Sequence, residues 1–176
     1  MLMQFVRVES GQGAWSATAL DPGPYLEVLD DLLPQLPDGA RAFASDADHY
    51  DFTASRCVKD LTVSAISLRE AGQARVGAVI EFEPNRFKHG GPLTVVYDDV
   101  QNFSVEVDEM NSTTRIWPES RRLGSVQLDE IVPSALGCRH EIRMTGGVII
   151  IDCADLRATW GEPSTDGIAH AHTHSD

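Results

Sequence analysis

Over residues 57–160, apolar and polar residues repeatedly alternate, and this period of two constrains the fold more than any other feature of the sequence. Successive side chains of a β-strand point to opposite faces, so an alternating run predicts a half-buried strand. The clearest run is 138–144, whose odd-numbered positions are charged and whose even-numbered positions are Cys138, His140, Ile142 and Met144. A Thr-Gly-Gly turn and the apolar run 148–151 follow, which predicts an antiparallel hairpin.

The complete sequence predicts about nine short strands and a single helix near residues 24–33. Pro24 suits the first turn of a helix, and Leu26, Leu29 and Leu33 then recur at helical spacing. The alternation of strands and helices that is typical of parallel sheets does not occur. The predicted fold class is therefore mainly β (α+β by a strict count), with an antiparallel β-sandwich or a flattened barrel as its architecture.

The chain of 176 residues has the length of one domain. We expect residues 1–160 to form this β-rich domain, and residues 161–176 to form a polar, histidine-containing, mobile tail. The N-terminus lacks the basic and apolar regions of a secretory signal. Three cysteines, Cys57, Cys138 and Cys153, cannot all pair within one chain. Reduced thiols and a cytoplasmic location are therefore the prediction.

The charge balance restricts the classes of partner. Asp and Glu number 27 against 14 Lys and Arg, which gives a net charge of −13. Because contacts with phosphate groups dominate nucleic-acid affinity and require positive charge, we expect no general binding of DNA or RNA. No apolar run is long enough for a membrane helix, so the chain is expected to be soluble. A basic protein is the partner that the charge favours; oligomeric state does not follow from the sequence.

A one-signed acidic stretch is the strongest candidate for a partner-binding surface. It consists of Asp98, Asp99, Glu106, Asp108 and Glu109, without a basic residue among them. Alternation predicts that Phe103, Val105 and Val107 point inward and that Glu106 and Asp108 point outward. Such a strand face repels the edges of other sheets and can meet a basic surface. The alternative is a solvated face without a partner.

A second candidate is an acid–base group around His49. Asp48 and Asp51 flank this histidine, and carboxylate–imidazole pairs carry out general acid–base catalysis. The alternative is a polar loop with Asx turns. The G-x-G sequence at residues 11–13 lacks the third glycine of a dinucleotide-binding loop and precedes a predicted strand. We therefore expect no cofactor, and the sequence favours a protein that is not an enzyme.

Two groups of residues are weak candidates for metal binding. The tail places His170, His172 and His174 on one side of an extended chain, where they can bind a divalent ion. Cys138 and His140 lie on one strand face, but a buried cysteine and a hydrogen-bonded core histidine are the more common outcome for such a pair. We therefore predict no physiological metal site.

Three functions remain open at this point. The first is a non-catalytic protein-interaction module that uses its acidic surface. In composition alone, and through no specific motif, the chain resembles immunity proteins of bacterial toxin systems, which commonly occlude a basic nuclease cleft. The second is a β-barrel or sandwich that binds a small molecule in its interior. The third is an enzyme that uses His49 with a nearby aspartate.

Overall fold

The computed structural model describes residues 3–10, 18–108 and 121–162. Within these ranges the chain is mainly β, with eight strands and two α-helices. In chain order the elements are β1 (Arg7–Ser10), β2 (Thr18–Asp21), α1 (Gly23–Leu32), a 3-10 turn (Leu33–Gln35), α2 (Asp38–Ala44), β3 (Thr62–Gly72), β4 (Arg75–Glu83), β5 (Leu93–Val107), β6 (Val126–Ser134), β7 (Gly137–Met144) and β8 (Gly147–Trp160).

Strands β3 to β8 form one antiparallel sheet of six strands, in the order β3-β4-β5-β8-β7-β6. β1 and β2 form a separate sheet of two strands. The predicted mainly β class is confirmed. The predicted barrel is wrong, because β3 and β6 do not pair as strands: the chain joins them at the isolated bridge of Thr62 to Ser125 and at two hydrogen bonds of Val126 beside it, and the sheet stays open. A sandwich is not confirmed, since the second described sheet has only two strands.

The predicted strand count is wrong by one, because residues 93–97 and 103–107 belong to the single strand β5 of 15 residues. The single predicted helix is also an undercount. α1 covers the predicted region, but α2 follows it at residues 38–44. The α2 start depends on a distant residue: Asp155 of β8 accepts hydrogen bonds from the backbone N–H groups of Gly39 and Ala40. No local pattern encodes that contact.

The hydrophobic core lies between one face of the large sheet and the two helices. Tyr25 and Leu29 enter it from α1, and Ala40 and Phe43 enter it from α2. The sheet contributes alternate residues of its central strands, including Ile80, Val95, Tyr97, Ile142, Ile149 and Ile151. Cys57, Cys138 and Cys153 are free and buried. None of the helices within the described ranges has the length and apolar character needed to cross a membrane.

β5 changes partners halfway along its length. Up to Tyr97, which lies opposite Ala78, it pairs with β4 on one side and β8 on the other. From Asp98 onward, its only described neighbour is β8. Asp99 has a left-handed backbone (φ 49°), and a β-bulge follows between Val100 and Asn102. Bulges bend the strand that carries them, so β5 turns away from β4 here.

Candidate functional site

The acidic stretch begins where β5 stops pairing with β4 and extends one residue past the end of β5. We call its described members, Asp98, Asp99, Glu106 and Asp108, the β5 acidic surface. Asp98, Glu106 and Asp108 are exposed and Asp99 is half-buried. Glu109, the fifth predicted member, lies outside the described residues. Three of the predicted carboxylates are thus accessible to a partner.

The fold brings arginines to this surface from other strands. Arg157 of β8 lies 3.6 Å from the Asp98 carboxylate, and Arg143 of β7 lies 3.2 Å from that of Asp108. Glu106 has no ion pair with any residue that the structure describes. Ion pairs this exposed contribute only about 0–1 kcal/mol to stability. Because they are weak, a partner's basic side chain can compete for these carboxylates.

Two apolar side chains of the same half-strand remain exposed although the alternation predicted that they point inward, and although Val105 lies opposite the buried Ile149. Val105 is 39% exposed and Val107 is 47% exposed. The register explains part of this difference: Val107 lies opposite Gly147, which has no side chain to cover it. The helix layer covers other parts of the sheet, since α2 packs on β8 and β6 and α1 packs on β6. The end of β5 therefore combines exposed valines with exposed carboxylates.

A surface groove adjoins the other end of the β5 acidic surface. It has a volume of about 330 Å³, and Asp98 lines it together with Asp38, Asp155 and Arg157. Asp155 accepts hydrogen bonds from the α2 backbone, whereas Asp98 and Asp38 each have, among the described residues, only an exposed ion pair, with Arg157 and Arg41 respectively. A long basic side chain has room to enter this groove.

The predicted acid–base group is not assembled. The His49 side chain points into the core, where it is 1% exposed, and contacts neither flanking aspartate. Asp48 instead pairs with Arg56 at 3.2 Å on the surface. Asp51 accepts hydrogen bonds from the Thr53 hydroxyl and backbone N–H, which lower the pKa of its carboxyl. The three residues lie close in sequence but face different surroundings.

His49 belongs instead to a group that the sequence did not identify as a unit. We call His49, Tyr97, Asp129 and His140 the buried polar network. His49 Nε2 lies 2.8 Å from Asp129 Oδ1, and His140 Nε2 lies 2.9 Å from Asp129 Oδ2. The Tyr97 hydroxyl lies 2.9 Å from His140 Nδ1. All four residues are between 0% and 2% exposed.

The hydrogen-bond partners indicate where the protons of this network lie. The Phe43 carbonyl only accepts, so His49 Nδ1 donates to it. His49 Nε2 lies within hydrogen-bond distance of both carboxylate oxygens of Asp129. His140 donates from Nε2 to Asp129, and its Nδ1 accepts from the Tyr97 hydroxyl. Every polar atom on these side chains thus has a partner.

The acidity of Asp129 agrees with this arrangement. Burial by itself raises the pKa of a carboxyl, but the charge of His49 and the hydrogen bonds from both histidines outweigh it. The pKa of Asp129 therefore lies well below its usual value. Burial, with a smaller contribution from nearby ionisable groups, raises the pKa of the Tyr97 hydroxyl well above its usual value. The geometry keeps Asp129 ionised and Tyr97 protonated.

The network has no route for a substrate in the described part of the chain. The cavity that borders Asp129 and His140 has a volume of about 10 Å³ and is otherwise lined by apolar side chains such as Phe43, Leu61 and Ile142. A volume of that size holds about one water molecule. His140 and its neighbour Cys138 are buried, as predicted for core residues, and Cys138 Sγ lies 3.7 Å from Cys153 Sγ. The arrangement acts as a polar part of the core.

Two further buried acids hold the N-terminal segment. Glu130 accepts hydrogen bonds from the backbone N–H groups of Gln4, Phe5 and Val6. Glu141, directly opposite on β7, accepts one from Met3. Burial raises the pKa of Glu141, an effect that the bond from Met3 opposes and the neighbouring Glu130 reinforces. These two carboxylates bind the backbone of residues 3–6 to strands β6 and β7.

The metal candidates of the tail, His170, His172 and His174, lie outside the described residues. Within the described ranges, no group of three or more His, Cys, Asp or Glu is arranged to hold a metal ion. Comparison of the chain with protein-family models, with curated proteins and with solved structures finds no match.

Proposed function

We propose that this chain is a non-catalytic interaction protein whose β5 acidic surface binds a basic protein partner. The observation that carries the proposal is the exposure of Asp98, Glu106 and Asp108 along the part of β5 whose only described neighbour is β8. Carboxylates placed in this way act on a partner before contact, because surface charges interact over ~8–10 Å at physiological salt. The net charge of −13 supports the same class of partner and disfavours nucleic acid.

The competing functions have less support. An enzyme needs acid–base groups that can touch a substrate, whereas His49, Asp129 and His140 are buried and satisfied by each other. A small molecule bound in the interior needs a cavity of several hundred cubic ångströms. The interior cavity beside Asp129 is about 10 Å³. Two larger grooves, of about 280 Å³ and 330 Å³, are lined mostly by polar and charged residues and not by the apolar side chains that are typical of a small-molecule pocket.

The proposal includes a class of partner that is consistent with this charge. A nuclease toxin binds phosphates through lysines and arginines, so an acidic surface is complementary to its cleft. Neutralisation of such a toxin is the specific activity that we propose. Free, buried cysteines support a reducing compartment such as the cytoplasm for this activity.

The test uses a basic protein that copurifies with the full chain from its native host and is then purified itself. We expect its association rate to fall as the NaCl concentration rises, because salt screens steering by surface charges. Glu106→Lys/Asp108→Lys should slow association further at low salt. The matched control is Glu27→Lys/Asp30→Lys on α1, which changes the net charge equally at exposed positions. Equal slowing by both double variants would mean that net charge, and not the β5 acidic surface, governs binding.

A further inference from the structure

We infer that the free edge of β5, residues 98–107, binds an extended, basic segment of the partner by adding it as a further strand. The inference rests on the proposed function and specifies how the β5 acidic surface is used. Three observations lead to it: a strand edge without a partner among the described residues, a pair of exposed valines, and carboxylates that alternate with those valines.

The unpaired edge follows from the register of the sheet. β4 ends its pairing with β5 at Ala78 opposite Tyr97, while β8 continues to pair with β5 as far as Val107 opposite Gly147. Beyond that point β4 pairs with β3 alone, to the end of their hairpin at Arg75. Along residues 98–107, the described chain therefore offers hydrogen bonds on the side that β4 has left. A row of unpaired N–H and C=O groups is a template for another strand.

The side chains along this edge indicate the composition of the strand that it accepts. Val105 and Val107 point to one face of β5, and Glu106 and Asp108 point to the other. A strand paired with β5 places its own alternate residues beside these two rows. Apolar residues beside the valines remove apolar surface from water, and lysines or arginines beside Glu106 and Asp108 form cross-strand ion pairs. The segment therefore alternates basic and apolar residues with a period of two.

The same charges disfavour a second copy of this chain as the occupant. Pairing two β5 edges about a twofold axis brings Glu106 and Asp108 of one copy close to the acidic residues of the other. Like charges across a strand pair destabilise it. The acids therefore prevent self-association at this edge while permitting a basic strand, which is a common use of charge on natural edge strands.

The first experiment measures binding of a synthetic peptide to the full chain by fluorescence anisotropy. The probe alternates lysine and valine over about eight residues, within the usual length of a strand. The control peptide has the same composition, with all lysines before all valines. We expect the block peptide to bind roughly tenfold more weakly, which corresponds to about 1.4 kcal/mol. Equal affinity of the two peptides, or no binding by either, overturns the inference.

A second pair of peptides tests the main-chain hydrogen bonds. One is N-methylated at every lysine and the other at every valine, so that each retains the side chains and blocks alternate amides. In strand addition only one of these sets faces β5. We therefore expect one isomer to lose binding and the other to retain it. If both isomers bind as tightly as the parent peptide, strand addition is wrong.

Hydrogen exchange on the full chain provides a readout that does not depend on affinity. In the free protein, we expect the amides of residues 98–107 that face away from β8 to exchange rapidly, and the alternating peptide to protect them. Slow exchange of all these amides without peptide would mean that another part of the chain already covers the edge, which overturns the inference.

The failure of this inference is distinguishable from failure of the proposed function. Glu106→Lys should weaken binding of the alternating peptide, whereas Glu70→Lys, an equal charge change on the β3–β4 hairpin, should not. Peptide binding that responds to Glu106→Lys but ignores N-methylation would leave the acidic surface in place and remove strand addition. The association rate with the purified basic partner is a separate measurement. A rate that does not change with salt would overturn the proposed function itself.

Discussion

The buried polar network and the β5 acidic surface both contain carboxylates carried by the large sheet, yet they differ in what surrounds each carboxylate. Asp129 forms hydrogen bonds with two histidines, and one of them, His140, also forms a hydrogen bond with the Tyr97 hydroxyl. On the surface, Asp98 and Asp108 each have one arginine, and Glu106 has none within the described ranges. The buried polar network is closed off from solvent, whereas the surface keeps a net negative charge.

This difference separates acids that stabilise the fold from acids that are available to a partner. A buried charge without a partner costs several kcal/mol, so interior carboxylates must be satisfied within the chain. An exposed carboxylate is solvated by water, so it has no such requirement. Side-chain chemistry alone does not distinguish the two, but the number of partners that the fold provides for each carboxylate does.

The largest expected effect is that of removing Asp129. Asp129→Ala removes from the core the carboxylate that both His49 and His140 contact and leaves their Nε2 atoms without that partner, and we expect a loss of about 3–5 kcal/mol of unfolding free energy. Asp129→Asn is the matched control. Its amide can accept from His140 and donate to a neutral His49, so its cost should be clearly smaller. Urea unfolding measures both variants. Equal costs would mean that the charge of the network is irrelevant to stability.

A smaller effect is expected at Glu130. Glu130→Gln replaces one oxygen by an NH₂ group that faces backbone donors of the N-terminal segment, Gln4 on one side or Phe5 and Val6 on the other. Leaving buried donors unsatisfied costs about 1–3 kcal/mol. The control Glu27→Gln, on the exposed face of α1, should stay within about 0.5 kcal/mol of the parent. If Glu130→Gln also stays within that limit, the N-terminal contact contributes little to stability.

The sequence predicted the elements of the sheet better than its connections. Period-two alternation identified residues 75–83 and 138–144 as strands, because one face of each is buried against the core. It divided β5 in two, since residues 98–102, where the β-bulge lies, are mostly polar and interrupt the apolar alternation. The helix α2 was missed for another reason. Asp155, which accepts hydrogen bonds from the first N–H groups of this helix, lies more than a hundred residues away.

The buried polar network was beyond sequence reasoning for a similar reason. His49, Asp129 and His140 are far apart along the chain and meet only because β6 and β7 pair and the segment after α2 packs against them. One signal was present: Asp129 and His140 occupy inward positions of strands whose other inward residues are apolar, such as Ile131 and Ile142. A polar residue at such a position predicts a buried partner but does not identify it.

The next effect concerns the pH dependence of stability, again at Asp129. Its pKa is lower in the folded chain than the ordinary value near 4, so its stabilising contribution is complete above about pH 4. As the pH falls further, the unfolded chain binds a proton there and the folded chain does not. Stability should then decrease by about 1.4 kcal/mol per pH unit from this group. Asp129→Asn lacks this titrating group, so the difference in unfolding free energy between the variant and the parent must change below pH 4.

Unfolding titrations of the two proteins between neutral pH and acid measure this difference. Glu141 has the opposite sign, because burial raises the pKa of its carboxyl and its ionised form is the less stable one in the fold. Glu141→Gln should therefore remove a loss of stability that otherwise develops as the pH rises through the ordinary range of a glutamate. Parallel curves for the parent and Asp129→Asn would contradict the ionised state of Asp129 in the fold.

The smallest effect on stability is expected on the other side of the comparison, at Glu106. This residue is exposed and has no ion pair with the described residues, so Glu106→Lys breaks no ion pair in that part of the fold. Surface substitutions of this kind usually shift the free energy of unfolding by less than about 0.5 kcal/mol. The same substitution reverses a charge at the β5 edge and should weaken binding of the alternating lysine–valine peptide. Urea unfolding and peptide binding measured on one preparation separate these two consequences. A stability loss as large as that of Glu130→Gln would show that Glu106 belongs with the acids that hold the fold, and the distinction between the two regions would fail at this residue.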